Sequence, residues 1–210
     1  MYIDDSLALY TQLNALGLLK ESPPFWWPNY GSFEVVLGVI LTQNSNWTRV
    51  EASLKNLRLR HLCDLEPVAL SKGEWIRECI QPSGMYTHKT TYIQALSQNI
   101  IGEFGSFESF CDHVDRNWLL QQRGIGPESA DSILCYACGR AVMVVDRYTQ
   151  RLLSALGYVF EDYDELQAWC SNLHVNFDEA ALPKIYAEFH GMIVEYMKRY
   201  SSSKGVNIVF

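Results

Sequence analysis

Long apolar runs are missing from this 210-residue chain. The best one, Val35 to Leu41, falls well short of the roughly 18–20 residues that a membrane span requires, so no membrane segment is expected. The N-terminus, MYIDDSLALY, has two early aspartates and no basic stretch, which argues against a secretory signal and points to the cytosol. Internal repeats, low-complexity tracts and long linkers are lacking too. With 48% hydrophobic and 20% charged residues the composition is that of a folded chain, not a disordered or fibrous one. Cysteines are few and badly spaced for a metal. Of the six, only Cys135 and Cys138 are close, with no second pair and no histidine at zinc spacing, so reduced and mostly buried thiols are expected. Cations are scarce as well: the net charge is −7, against the basic footprint usual for a nucleic-acid partner. The distribution softens that objection. Residues 161–188 hold seven acids against Lys184 alone, whereas residues 115–160 hold five arginines against four acids.

What is present is helical periodicity. Ile3, Leu7, Tyr10, Leu13 and Leu16 repeat at helix spacing up to Gly17. The prolines of the FWWPN segment at 25–29 and just before it forbid regular helix there. Ser32 suits the N-cap of a nearly all-apolar helix from Phe33 to about Gln43. Asn46 opens another, with Trp47, Val50, Leu54 and Leu57 on one face and Glu51 and Lys55 as a surface pair. Further helices fit 72–80, 87–101 and 107–121. Only Ala141 to Val145 resembles a strand, and at that length it reads better as a buried extended link. The expected fold class is all-α, in two helical lobes with a cleft between them. Residues 30–142 make a central domain that includes a helical hairpin at about 115–138. Residues 1–29 and 143–210 make a second lobe from both termini.

The most informative stretch is LLQQRGIGPESA, residues 119–130. A helix ends near Gln122, Gly124-Ile125-Gly126 makes a turn, and Gly126 and Pro127 suit the N-cap and first position of the next helix. Such a turn presents backbone N–H groups that can hold a phosphate without a basic side chain. A plain αα-hairpin with glycine caps fits the turn by itself equally well. Twenty residues beyond Gly126 stands Asp146, at the start of a helix running from Arg147 to Leu156. It is either an ordinary N-cap or a carboxylate held at a cleft to face a sugar cation or polarise water, and the two roles are compatible. The Cys135–Cys138 segment lies on the helix that follows the hairpin and stops at Gly139.

The hairpin, the spacer and VVDRYTQRLL (144–153) together resemble the helix-hairpin-helix, Gly/Pro-rich loop and aspartate of the endonuclease III superfamily of DNA glycosylases. VVLGVILTQ (35–43) is similar to that superfamily's helix ending in a glutamine, and His190-Gly191 match its C-terminal region. The resemblance covers about residues 30 to 195. It implies double-stranded DNA as partner, Gln43 inserted into the duplex, and a DNA grip by Arg123, Gly124, Ile125, Gly126 and Ser129. Two departures narrow it. Bifunctional members carry a lysine just after the hairpin's second glycine, where this chain has Glu128, which forms no Schiff base. No cysteine follows Cys170, so the superfamily's iron–sulfur cluster, and any other cofactor or metal, is not expected. With FWWPN and LTQNSNW (41–47), the chain is similar to the 3-methyladenine DNA glycosylase III branch. That implies a monofunctional, monomeric enzyme whose base pocket is lined by Trp26, Trp27, Pro28 and Trp47.

The chemistry suits these residues. N-alkylation puts positive charge on a purine and weakens its glycosidic bond, so the enzyme mainly has to extract the nucleotide, hold the base and stabilise the oxocarbenium. Indole faces attract a flat cation by roughly 0.5–2 kcal/mol. Asp146 is assigned the catalytic role. Glu128 is either a pocket acceptor for a cationic base or a first-turn acid at a helix dipole. Trp75, Trp118 and Trp169 are expected in the core. A covalent complex trapped by borohydride would implicate Lys89, Lys198 or Lys204. Three other readings compete: a different base specificity on the same scaffold, a non-catalytic hairpin DNA-binding protein, and an all-α scaffold for a small aromatic ligand.

Overall fold

The computed structural model describes residues 3–203 and 205–210. Among the described residues the chain is helical throughout, apart from one short hairpin. The α-helices are α1 (Ser6–Ala15), α2 (Phe33–Thr42), α3 (Trp47–Leu59), α4 (Leu65–Leu70), α5 (Gly73–Cys79), α6 (Tyr86–Phe104), α7 (Phe107–His113), α8 (Arg116–Leu120), α9 (Pro127–Ser132), α10 (Arg147–Ala155), α11 (Tyr163–Ser171) and α12 (Leu182–Tyr200). Strands β1 (Ser201–Ser202) and β2 (Gly205–Val206) pair antiparallel. The chain falls into two compact units, Gly31–Gly139 and the two terminal stretches Met1–Tyr30 and Arg140–Phe210.

In the Gly31–Gly139 unit, α2 is the core. Phe33 to Leu41 are all buried, as befits a helix apolar on every side. Its last turn is tied to a neighbouring loop by Lys89 on α6. The Lys89 Nζ is buried and donates to the Leu41 carbonyl at 2.8 Å and the Ser83 carbonyl at 3.0 Å. Those carbonyls would otherwise be orphaned helix-end acceptors. Burial pulls the lysine down to about 8. The Asn46 side chain caps α3 through the Arg49 N–H. The expected Glu51–Lys55 pair is replaced: Glu51 meets Arg58 at 2.7 Å, because Arg58 is already fixed by a two-pronged bond to the buried Glu34. The helix expected over 107–121 is two helices. Val114 turns extended, and Asp115 starts α8 by accepting from the Trp118 N–H at 2.7 Å. Trp75, expected in the core, is 48% exposed, since the short α5 buries only Ile76 and Cys79.

In the other unit, α1, α10, α11 and α12 surround a core of Leu9, Leu13, Leu152, Leu153, Phe189 and Ile193. Each such side chain, taken fully from water, contributes about 1.5–3 kcal/mol. The segment Val142–Val145 is a link that is neither helix nor strand, with Met143 to Val145 buried. It delivers Asp146 to the first turn of α10, against the middle of α12. No described helix is long and apolar enough to cross a membrane.

Candidate functional site

Asp146 has extended backbone and caps α10 through a reciprocal box. Its Oδ1 accepts from the Thr149 N–H at 2.8 Å and the Thr149 hydroxyl at 3.0 Å, while Thr149 Oγ1 accepts from the Asp146 N–H. One carboxylate oxygen is thereby fixed. The other, Oδ2, lies 3.6 Å from His190 Nε2, in a setting where the aspartate side chain is 15% exposed and the histidine 5%. Burial by itself would raise the aspartate. The nearby His190 imidazole and the bonds from Thr149 outweigh it, and Asp146 lies below the ordinary carboxylate range. The group is therefore a desolvated anion at neutral pH, with its direction fixed by a helix cap.

Trp26 stands beside this pair. Its ring is edge-on to His190, with centroids 5.4 Å apart. Its Nε1 donates to Glu195 Oε1 at 3.2 Å, and the same oxygen accepts from Lys198 Nζ at 2.9 Å. That ammonium is 5.8 Å from the centroid of the Trp26 ring. The indole lies so close over α12 that only glycine fits beneath it: a Cβ on Gly191 would come within 2.4 Å of Trp26 Cγ. Phe25, Trp26 and Asn29 all have positive φ, the strained conformation that the surrounding prolines and aromatic contacts enforce. Trp27 is buried, 8% exposed, and meets Trp26 at 88°. The two indoles therefore do not share a plane, and Trp26 is the more accessible of them. Pro28 is half-buried in the same loop.

The Gly31–Gly139 unit carries the second group of residues. Helices α8 and α9 form the hairpin, strapped by Arg116 to the fully buried Asp131 at 2.7 and 3.2 Å. Gly126 is the N-cap of α9 and Pro127 its first residue. Gly124 is glycine for two reasons: its φ is +83°, and a Cβ there would strike the Tyr92 ring. Ile125 is buried, Gly126 exposed, and Arg123 reaches over the Tyr92 ring. Gln43 braces the turn, its Nε2 donating to the Gly124 carbonyl at 2.9 Å and to Ser129 Oγ at 3.1 Å. Trp47 is half-buried at the start of α3, and Glu128 is exposed in the first turn of α9. Beyond Ala130 the helix widens into a π-turn, Ile133–Ala137, with Cys135 buried in it and Cys138 just past it.

The HhH-GPD superfamily base excision DNA repair protein model matches residues 37–173, more than half of the chain. The chain belongs to that superfamily. The match spans the Gln43 loop, the hairpin and Asp146 of this HhH-GPD protein. A crystal structure from H. pylori, the 3-methyladenine DNA glycosylase MagIII bound to 1,N6-ethenoadenine, is 42% identical, with a TM-score of 0.89 over 93% of this chain and 98% of that one. A Methanocaldococcus jannaschii protein, provisionally named DNA repair glycosylase MJ1434, is 35% identical over 86% of this chain and 83% of its own. A trapped endonuclease III–DNA intermediate shares the fold, with a TM-score of 0.72 at 16% identity over 98% of this chain and 92% of that one. The six cysteines are free thiols, and no described group of His, Cys, Asp and Glu is arranged to hold a metal ion.

His190 as the partner of Asp146, Glu195 as the holder of Trp26, and Lys89 as a buried clamp were not foreseen as such from the sequence. The hint for the first two was the His190-Gly191 pair in the last helix, with Glu195 one turn beyond Gly191.

Proposed function

We propose that the chain is a monofunctional DNA glycosylase that removes alkylated purines, 3-methyladenine foremost, from double-stranded DNA. The observation that carries this reading is the anionic Asp146, desolvated beside His190 and within the same side-chain cluster as the Trp26 indole. A cationic leaving base needs little protonation. A fixed anion is then the group that matters most, through its attraction to the oxocarbenium or by taking a proton from the attacking water. Trp26 supplies the π-face for a flat cation, and Trp27, Pro28, Trp47 and Glu128 are proposed as further pocket residues. The hairpin residues Arg123 to Gly126 and Ser129 grip the backbone, and Gln43, at the end of α2, enters the duplex.

The placement of the described amines supports hydrolysis without strand cleavage. Glu128 occupies the position of the lyase lysine. Lys89 is buried on two carbonyls, and Lys198 is paired with Glu195. Lys204 lies outside the described residues. The likeness to MagIII supports the choice of alkylated purines over oxidised pyrimidines.

The test is chromatography of free bases released from methylated DNA, with the same DNA checked for nicks and for borohydride-trapped protein. Release of 3-methyladenine with neither nicks nor adducts is expected. Release of thymine glycol in its place, or a trapped adduct, would refute the reading.

A further inference from the structure

The unit that holds Asp146 also carries an open groove that the base-releasing chemistry leaves unused. It has a volume of about 840 Å³ and is lined by the start of α10, the end of α12 and the β1–β2 hairpin. Three of its lining residues are cations, Arg147, Arg151 and Lys198, and the rest include the Tyr148 phenol and the hydroxyls of Ser201 and Ser202. Among the described residues no aspartate or glutamate lines it, in a chain with 24 acidic and 17 basic residues.

Arg151 is oriented by one bond from Nη2 to the Ser202 carbonyl at 3.3 Å, which leaves most of its five donors for another acceptor. Arg147 is exposed and makes no ion pair among the described residues. Lys198 is partly neutralised by Glu195, so the two guanidinium groups dominate.

The geometry points to a binding site for one backbone phosphodiester of DNA, the one flanking the nucleotide whose sugar faces Asp146. The inference rests on the proposed glycosylase reading and adds to it a backbone contact within the catalytic unit. Arg147 directly follows Asp146, and Lys198 stands 5.8 Å from the Trp26 ring, so the groove adjoins both. Guanidinium forks match paired phosphate oxygens in plane and the Tyr148 hydroxyl adds a donor, whereas the Ser201 hydroxyl is already spent on the Met197 carbonyl. An open trough without an enclosing wall suits a chain that passes through it. It also explains how a protein of net charge −7 engages a polyanion: the cations are gathered where the backbone runs.

The experiment measures duplex affinity with a neutral methylphosphonate placed, one position at a time, around an uncleavable abasic analogue. For the wild type, one flanking position should cost about fivefold or more. The Arg147→Gln/Arg151→Gln variant should lose about as much on the unmodified duplex and nothing further at that position. Its log–log salt slope should fall by about one, for the single phosphate no longer neutralised. Losses that multiply in place of overlapping, or an unchanged slope, would overturn the site.

Should the double variant fail to fold, the wild-type scan decides: equal tolerance at every position overturns it. Inorganic phosphate should displace the duplex no better than chloride at equal ionic strength, and specific displacement by phosphate would mark a free-anion site. Base release by the wild type reports separately on the glycosylase reading. Release with a failed scan sinks only the groove, and a successful scan without release sinks only the glycosylase.

Discussion

Replacing Gly191 with alanine isolates the contact that seats Trp26 on α12. In an exposed helix, glycine to alanine gains about 1 kcal/mol from backbone entropy. Here the added methyl would lie 2.4 Å from Trp26 Cγ and 2.7 Å from its Cβ, atoms at the root of the side chain that cannot swing aside. Trp26 has little freedom to retreat, since its backbone already sits at φ 67° and its indole nitrogen is bonded to Glu195. Overpacking of this kind costs about 1–3 kcal/mol, so the net change should be a loss of up to about 2 kcal/mol. For a chain of this length that corresponds to a fall in Tm of up to about 8 °C. The decisive assay is a double-mutant cycle by thermal or urea unfolding. In a Trp26→Gly background, which removes the Cβ as well as the ring and suits the positive φ, the obstruction is gone, and Gly191→Ala should turn neutral or stabilising. The same destabilisation in both backgrounds would refute the packing argument.

Glu195→Gln weakens the hold on the Trp26 indole. Base release from methylated DNA should drop several-fold with duplex affinity unchanged, and an equal loss of both would contradict a positioning role. Lys89 is lowered to about 8 by burial, below its value of 10.5 in an unfolded chain, so the unfolded state binds more protons between those two pH values. Wild-type stability should therefore rise with pH across that window relative to Lys89→Met, and parallel Tm–pH curves would refute the buried clamp. Asp146 is lowered from 3.8, so its stabilisation is full above that pH and is lost as the pH falls through the folded-state value. Tm measured downward from neutral pH should show the gap between wild type and Asp146→Asn closing only below about pH 4.

The local grammar of the chain was legible in its residues. Gly126-Pro127 as cap and first turn, Asn46 before α3 and Asp146 before α10 are choices made within four residues, and the structure has them in those places. The break at Val114-Asp115 was equally local but hidden, because the apolar spacing continues across it while the aspartate cap ends it. The pairing of Asp146 with His190 spans 44 positions, and that of Trp26 with Glu195 spans 169. No periodicity encodes such distances. They come from α12 packing against α1 and α10, which brings one buried face of a 19-residue helix under both. The perpendicular setting of Trp26 and Trp27 was likewise beyond the sequence, since it depends on left-handed backbone at non-glycine residues.

The claim on which the rest depends is that the Asp146 carboxylate acts by its charge. Asparagine is as good a helix cap and keeps the oxygen that accepts from Thr149, so Asp146→Asn removes the anion and little else. Single-turnover release of 3-methyladenine from methylated duplex should fall by about 100-fold or more, with duplex affinity and fold retained. Release within about threefold of wild type would show that the charge is dispensable and that the chemistry lies elsewhere.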